Sequence, residues 1–376
     1  MTGNWKLHDS HRAIAQLPRD GVPWEIVSGE VVRQVRRAVG FDGWCLSLTD
    51  PVTALPTAVV GTQGSPLASC QRRFWQLEYL VPDVCKADGL AESGLPVATL
   101  SHETGGDLAR SQRWDELLRP AGAADELRAV LNADGVHWGS LALYRAGRPG
   151  AGNQFSADDI RAVKILHDAL TAAARGGWAA VLPALTCGDS GPAGRDEPPA
   201  TLITTLDGTL IDGTPTAEAK LARLGVHKQA GYTLVYALLA RLAADMNHDG
   251  DRAHGQAAVS VVTRTAGGRW AEVHAAPLAS GNGFIGGGLA SRGRAAVTIG
   301  PAHASRVRSV LLRALALSGR ERQVATLAAD GMPDKDIAAV LHISPHTARD
   351  HLKAIFRKTR AHTRQELAAR LAGSTP

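Results

Sequence analysis

Two helix-start signals near the C-terminus limit what the end of this chain can fold into. Ser318-Gly-Arg-Glu321 has the spacing of a capping box, in which a hydroxyl and a glutamate three residues later satisfy free backbone N–H groups. Ser344-Pro345 places a capping serine before a proline at the first helical position. Between these signals the pattern predicts a short helix over 334–341 and a tight turn at 342–344. The sequence therefore predicts an all-α domain of four short helices at 318–371.

The helix that begins at Pro345 is predicted to end near residue 360 and to have two different faces. Apolar residues at helical spacing, from Ala348 through Leu352 to Ile355, form the face that a core would cover. The opposite face carries His346, Arg349, Asp350, Lys353, Arg357 and Arg360. A helix of this size fits the major groove of double-stranded DNA, where its first turns reach base edges. We therefore predict a helix-turn-helix domain in which this is the recognition helix.

The distribution of charge supports DNA as the partner. The chain has 376 residues and a formal net charge of +5, and the segment 317–376 alone carries ten Lys and Arg against six Asp and Glu. A local basic excess is expected where the partner is a polyanion. A basic helix by itself is more often only a solvated face, but here the capping signals and the short turn agree with it.

The same segment resembles the LuxR-type helix-turn-helix family. The resemblance is carried by Leu317-Ser-Gly-Arg-Glu321-Arg-Gln-Val324, Gly331, Ile337-Ala338, Leu341-His-Ile-Ser344, Thr347, His351-Leu352 and Lys358. It implies a dimeric transcription regulator, with Arg349, Asp350 and Lys353 at the positions that face the bases. The sequence departs from the family at Pro333, where Ser or Thr is usual, and at Ala348, where Val is usual.

A wider set of residues is predicted to contact DNA. Lys358 and Arg364 flank the recognition helix and are expected to bind phosphates, which sets the register on the duplex. Asp350 is unusual beside phosphates and is suited to accept a hydrogen bond from cytosine N4. The full predicted set is Ser344, His346, Thr347, Arg349, Asp350, Lys353, Arg357, Lys358 and Arg364.

Upstream, the chain divides into two blocks that are both predicted to be α+β with antiparallel sheets. In 22–180, an Asp134-Gly135 turn joins two strand-like runs, and a long amphipathic helix follows Ser156. Through Ala133-Asp-Gly-Val-His-Trp-Gly139 and Phe155-Ser-Ala-Asp-Asp159, this block is similar to GAF domains of actinobacterial LuxR-type regulators. The block 200–300 resembles a PAS-like fold in the order of its strands and helices.

The predicted organisation is therefore a multidomain α+β chain. Two sensor modules, at 22–180 and 200–300, are separated by a Gly/Pro-rich linker at 181–199. A linker or dimerisation helix at 301–316 leads to the DNA-binding domain at 317–376. The apolar residues expected to couple the sensor to that domain and to help it form a homodimer are Val307, Val310, Leu311, Leu312 and Leu315.

The signal that the modules detect is open at this level, between a small molecule and a redox event. The aromatic residues Trp44, Phe74, Trp75, Tyr79 and Trp138 are candidates for an apolar ligand pocket, although such residues are more often only core. Cys70 and Cys85 lie next to cations that would lower a thiol pKa, although ordinary structural cysteines are the commoner case.

Two alternatives to a small-molecule sensor remain. The upstream blocks would be protein-interaction modules without a small ligand, or a Cys-dependent GAF-type enzyme. No Gly-Lys dipeptide, nucleophile elbow or zinc-type His/Cys cluster occurs, so we assign no catalytic or metal-binding residues and expect no enzymatic activity. The cofactor, if any, is unknown.

The cellular setting is inferred from the N-terminus and from hydropathy. Residues 1–20 are polar and lack the apolar core of a signal peptide, and no stretch approaches the roughly 20 apolar residues of a membrane span. We therefore expect a cytoplasmic protein with no membrane partner. Its expected partners are double-stranded DNA, a second copy of the chain and an unknown small-molecule effector, with RNA polymerase considered as a further one.

Overall fold

The first unit of the protein is a sheet with helices on both faces. The computed structural model describes residues 4–17, 24–150, 152–179, 198–224, 230–248, 258–266, 268–278 and 293–372. The elements of the first unit are α1 (Asn4–Gln16), α2 (Trp24–Ala38), β1 (Gly43–Thr49), β2 (Pro56–Gln63), α3 (Gln71–Leu80), α4 (Ala87–Ser93), β3 (Val97–Thr99), α5 (Leu100–Glu103), β4 (Ala123–Ala133), β5 (Val136–Ala146) and α6 (Ala157–Ala179).

The strands of this unit form one antiparallel sheet in the order β2-β1-β5-β4-β3. Because side chains alternate along a strand, Leu46, Leu127 and Leu141 point to the core that contains α2 and α6. Residues next to them in sequence, such as Arg128 and Ala142, point to the opposite face, towards α3. One face of the sheet therefore packs against the hydrophobic core, and the opposite face borders a cavity.

The local signals identified in this block are present in the structure. Asp134 and Gly135 have φ of 53° and 71°, as a two-residue hairpin turn between β4 and β5 requires. At the start of α6, the Asp159 N–H donates to Ser156 Oγ at 3.2 Å, and the Ser156 N–H donates to the Asp159 carboxylate at 2.7 Å. Helix α1 packs against α2 and α6, so the packed unit also includes residues before position 22.

The second unit repeats the same sheet topology. Its elements are β6 (Ala200–Thr205), β7 (Leu210–Gly213), α7 (Ala217–Arg223), α8 (Ala230–His248), β8 (Val259–Arg264), β9 (Trp270–Leu278) and β10 (Arg294–Pro301). The strands are ordered β7-β6-β10-β9-β8. In both sheets the order is therefore second, first, fifth, fourth and third strand of the unit. The predicted α+β class with two antiparallel sheets is confirmed. Most of the predicted linker at 181–199 lies outside the described residues.

Buried polar and aromatic contacts join the two units. Asp50 follows β1 and is fully buried; its carboxylate accepts the N–H of Val262 in β8 at 2.9 Å and that of Val52 at 2.8 Å. Trp178, at the end of α6, stacks on Trp270 of β9 with 6.0 Å between ring centroids. Helix α8 also packs against α3 and β2 of the first unit. The two sheets are therefore held in a defined relation to each other.

A short apolar helix, α9 (Ala304–Ala314), connects these units to the C-terminal domain. It ends at Ala314, two residues before the end of the predicted linker or dimerisation helix at 301–316, because Leu315 is extended and Ser318 already caps the next helix. Val307, Val310 and Leu311 are fully buried among residues of α6 and of the C-terminal domain. This apolar face is covered within the chain, by the first unit and by the C-terminal domain.

Candidate nucleic-acid interface and ligand cavity

The C-terminal domain consists of four helices, as predicted. They are α10 (Gly319–Ala329), α11 (Asp334–Val340), α12 (Pro345–Thr359) and α13 (Arg364–Leu371). The chain reverses between α11 and α12 in a tight turn in which His342 has a φ of 52°. The N–H groups of His342 and Ile343 donate to Ala339 and Ala338, the hydrogen-bond pattern of a Schellman motif. This turn sets the approach of α12 to α11.

The predicted capping box is present at the start of α10. The Glu321 N–H donates to Ser318 Oγ at 3.2 Å, and the Ser318 N–H donates to the Glu321 carboxylate at 2.6 Å. That carboxylate also accepts hydrogen bonds from Lys358 Nζ of α12, at 2.6 and 2.9 Å. Burial opposes ionisation of Glu321, but the bonds from Lys358 and Ser318 hold the pKa of its carboxyl below its usual value.

Helix α12 has the two faces that the sequence predicts. Ala348, Leu352 and Ile355 are buried against the other helices. The side chains of His346, Arg349 and Lys353 are 80%, 60% and 77% exposed. Thr347 and Arg357 are exposed as well. The first turns of the helix therefore present cations and hydrogen-bonding groups to solvent on one side.

Asp350 lies in the middle of this exposed face. His346 Nε2 is 3.6 Å from its carboxylate, and Lys353 Nζ is 3.5 Å away. The Asp350 carboxylate thus lies between the imidazole of His346 and the ammonium group of Lys353 on the same face of the helix. Ser344 has a different position from the rest of the predicted set, because its Oγ accepts the Thr347 N–H at 3.0 Å and so caps the helix.

The two cations predicted to bind phosphate are engaged inside the domain. Lys358 binds Glu321, which joins α12 to α10. Arg364 donates to the Met332 carbonyl and to the Asp334 carboxylate, which joins α13 to α11. Neither pairing could be predicted from the sequence, because Glu321 is 37 residues from Lys358 and Asp334 is 30 residues from Arg364. The structure therefore gives Lys358 and Arg364 a role in packing the four helices.

A cavity of about 530 Å³ lies between the sheet of the first unit and helices α3, α4 and α8. Of the five aromatic residues proposed for a pocket, Phe74, Trp75 and Tyr79 line it. Trp44 and Trp138 belong instead to the core on the opposite face of the sheet. Their assignment to the pocket is corrected, because a sequence does not show to which face of a sheet an aromatic ring turns.

One wall of this cavity belongs to the second unit. Ala230, Thr233 and Leu234 of α8 line it, and no local signal in the sequence indicates that they meet α3. The floor carries Arg128, which donates to the Glu78 carboxylate at 2.8 Å and to the Cys85 carbonyl at 2.9 Å. Burial raises the pKa of Glu78, but Arg128 and Arg113 outweigh it and hold the pKa below its usual value. This pair is therefore an ionised one.

The two candidate redox cysteines have pKa values shifted in the direction opposite to the prediction. Burial raises the pKa of the Cys85 thiol to about 12, although Arg113 and Arg128 act against this rise. Burial also raises the pKa of Cys70. At both residues, burial therefore favours the thiol over the thiolate, which is the reactive form of cysteine.

Among the described residues, no group of three or more His, Cys, Asp and Glu is placed so that it would hold a metal ion. No helix within the described part of the chain is long and apolar enough to cross a membrane.

Comparison with known proteins assigns the C-terminal domain. Residues 315–371 match the bacterial regulatory proteins of the luxR family. No curated protein matches the chain. One similar solved structure is that of the Vibrio cholerae VqmA dimer in the absence of target DNA, from a study of LuxR-type receptors. It is 16% identical, the match covers 47% of this chain and 82% of that chain, and the TM-score is 0.19.

The fold and the match together define the class of the C-terminal domain. Four helices with a capped, exposed and cationic third helix form a helix-turn-helix DNA-binding domain. Residues 315–371 are a LuxR-family domain of this kind.

We expect Lys358→Met to destabilise the C-terminal domain by about 1–3 kcal/mol at pH 7, because it removes charged hydrogen bonds to Glu321. A carboxyl with a lowered folded-state pKa stabilises the fold above its unfolded pKa, and this contribution is lost as pH falls through the folded value. The difference between wild type and variant should therefore shrink as pH falls below the ordinary glutamate value, about 4.3. Urea unfolding at several pH values measures it.

Arg357→Met is the matched control, because Arg357 is the exposed neighbour of Lys358 on the same helix. It should leave the unfolding free energy unchanged within about 0.5 kcal/mol. Equal unfolding free energies for wild type and Lys358→Met at pH 7 would show that Lys358 has no structural role.

Proposed function

We propose that the protein is a sequence-specific transcription regulator whose N-terminal units bind a small ligand, and that this ligand alters DNA binding by the C-terminal domain. The observation that carries the proposal is the cavity of about 530 Å³. Its volume lies within the roughly 300–1,000 Å³ that is usual for small-molecule sites, and aromatic side chains form one wall.

We also propose that the unit at 22–180 is a GAF-like sensor, that the unit at 200–300 is a PAS-like sensor, and that the protein acts in the cytoplasm. The matching topology of the two sheets supports this pairing.

For the DNA interface, we propose that the exposed face of α12 reads bases. Arg349 and Lys353 are suited to donate to guanine O6 and N7, and Asp350 to accept from cytosine N4. His346 and Thr347, in the first turn, are placed to reach base edges or the adjoining backbone. Arg357 is about three helical turns further along and is assigned to phosphate. Lys358 and Arg364 are each paired with a carboxylate inside the domain, so we expect them to contribute less to phosphate binding than the sequence predicts.

Arg349→Ala and Lys353→Ala should each weaken binding to the operator by about 1–3 kcal/mol without loss of thermal stability, because both side chains are exposed. Arg357→Ala should weaken binding to all sequences and reduce the salt slope by about one. The operator is first selected from random duplexes, and affinity is then measured by fluorescence anisotropy. Arg161→Ala removes an exposed cation from α6 and should have no effect. Unchanged affinity of both base-contact variants would assign recognition to another surface.

We also propose that two copies bind one operator. Half-sites read by two recognition helices lie about 34–36 Å apart, one helical turn of DNA, which requires a two-fold arrangement of protein. Because α9 has its apolar face covered within the chain, the contact between copies must use another surface. Light scattering of the protein on a two-half-site duplex should give the mass of two chains, and a single chain on that duplex would contradict the proposal.

Communication between the cavity and the DNA-binding domain is proposed to pass through α8, β8, β9 and α9. Helix α8 lines the cavity and packs against β8 and β9. Arg306 of α9 contacts the same strands, donating to Ser260 at 3.1 Å and to Glu272 at 3.3 Å, and lies 3.9 Å from Asp50. At the other end of the helix, Arg175 of α6 donates to the Ala314 carbonyl at 3.1 Å. This chain of contacts connects the cavity to the DNA-binding domain, and the effect of a ligand on operator affinity measures the coupling between them.

A small-molecule screen by thermal shift on the full chain should find ligands that raise its melting temperature. Such a ligand should change the affinity for the operator by roughly 5–150-fold, the usual range of allosteric coupling. Arg306→Gln should reduce that change while leaving ligand binding intact, because it releases α9 from both units. Arg161→Gln is the control of equal charge change. A ligand that binds in the cavity and leaves operator affinity unaltered in the wild type would refute the coupling.

A further inference from the structure

From the composition of the cavity, we infer that its ligand is an uncharged, mainly apolar molecule that contains a flat ring. This inference rests on the proposed sensor function and adds the chemical class of the effector. It depends on two properties of the cavity: the aromatic wall that α3 provides, and the pairing of every ionised side chain in the lining.

The aromatic wall is an ordered array. Phe74 and Trp75 meet edge to face with 4.8 Å between ring centroids, and Trp75 and Tyr79 stack at 5.8 Å with 15° between ring planes. Around them lie the apolar side chains of Leu67, Leu90, Ala142 and Leu234, and the uncharged polar residues of the lining include Ser47, Ser140 and Thr233. Aromatic faces arranged in this way favour a ring that stacks on them or meets them edge-on.

The charges of the lining are already compensated. Of the lining residues that the structure describes, Arg128 is the one permanent cation, and Glu78 and Asp88 are the anions. Arg128 lies 2.8 Å from Glu78, and Asp88 lies 3.4 Å from Arg241. Burial lowers the pKa of His137, so its imidazole is neutral near pH 7.

A charged ligand would therefore find no free counter-charge in the described lining. To give a bound anion a full counter-charge, the cavity would have to draw Arg128 away from Glu78, and a buried charge left without compensation costs several kcal/mol. A neutral ligand avoids this cost. Arg128 uses Nη1 towards Glu78 and Cys85, and Nε towards Glu126, so that among its described contacts Nη2 is left as a donor. One carbonyl, ether or hydroxyl oxygen on the ligand would satisfy it.

Two fluorescent probes that share one aromatic skeleton test this inference. N-phenyl-1-naphthylamine is neutral, whereas 8-anilinonaphthalene-1-sulfonate carries one negative charge on the same ring system. With the full chain in the absence of DNA, the neutral probe should bind with a stoichiometry of one and a dissociation constant at least about ten times lower than that of the sulfonate. The factor of ten corresponds to about 1.4 kcal/mol.

Two variants connect the selectivity to the cavity. Glu78→Gln leaves Arg128 with less compensation, so the sulfonate should bind about ten times more tightly than to wild type while the neutral probe is little changed. Glu116→Gln is the matched control, since it removes a carboxylate that pairs with Arg73 outside the cavity, and should change neither affinity. Ala142→Phe fills the space beside Arg128 and should abolish binding of both probes. Melting temperature and operator affinity verify that each variant is folded.

The outcomes separate the ligand class from the sensor function. Sulfonate binding equal to or tighter than that of the neutral probe, and blocked by Ala142→Phe, would overturn the ligand class and leave the sensor function standing. Binding of neither probe, together with no hit in the thermal-shift screen, would overturn the sensor function itself. Neutral-probe binding that survives Ala142→Phe would place it outside the cavity and contradict the inference. If Glu78→Gln does not fold, the comparison of the two probes on the wild type still tests whether the cavity prefers an uncharged ligand.

Discussion

The burial of the apolar face of α9 is the contact on which the arrangement of this protein depends. A helix of 11 residues is marginal in water by itself, so it must gain its stability from packing. Val307, Val310 and Leu311 supply that packing by joining the core of the first unit to the core of the helix-turn-helix domain. The first unit and the helix-turn-helix domain therefore share one hydrophobic core, so a change in either of them that moves α9 also affects the other.

Ion pairs perform two separate tasks in the molecule. Lys358 is paired with Glu321 inside the C-terminal domain, whereas Arg349 and Lys353 remain exposed, so the cations of one helix divide between holding the domain and facing solvent. In the cavity, Arg128 and Glu78 form an ion pair with each other. The same electrostatic rule applies in both places: a charge that is already paired in a half-buried setting is a poor binding site for another charge.

Predictions from the sequence succeeded where the determining interactions are local. The capping box at Ser318, the proline-started helix at Pro345 and the hairpin at Asp134-Gly135 each involve residues within three positions of one another. Predictions that required knowledge of distant neighbours were less successful. The cations beside Cys70 suggested a lowered thiol pKa, but Arg73 pairs with Glu116, 43 residues away, and burial raises the pKa instead.

The sequence by itself determined the four helices and the DNA-binding class of the C-terminal domain, the cationic face of its third helix, and the hairpin and long helix of the first unit. These follow from periodicity and capping, which operate within one or two turns of chain. Tertiary structure alone decided that Trp44 and Trp138 lie in a core while Phe74, Trp75 and Tyr79 line a cavity. It also decided that α8 closes that cavity and that α9 is covered. Such outcomes depend on which elements meet in space, and alternation along a strand shows that two faces exist but not what each face will meet.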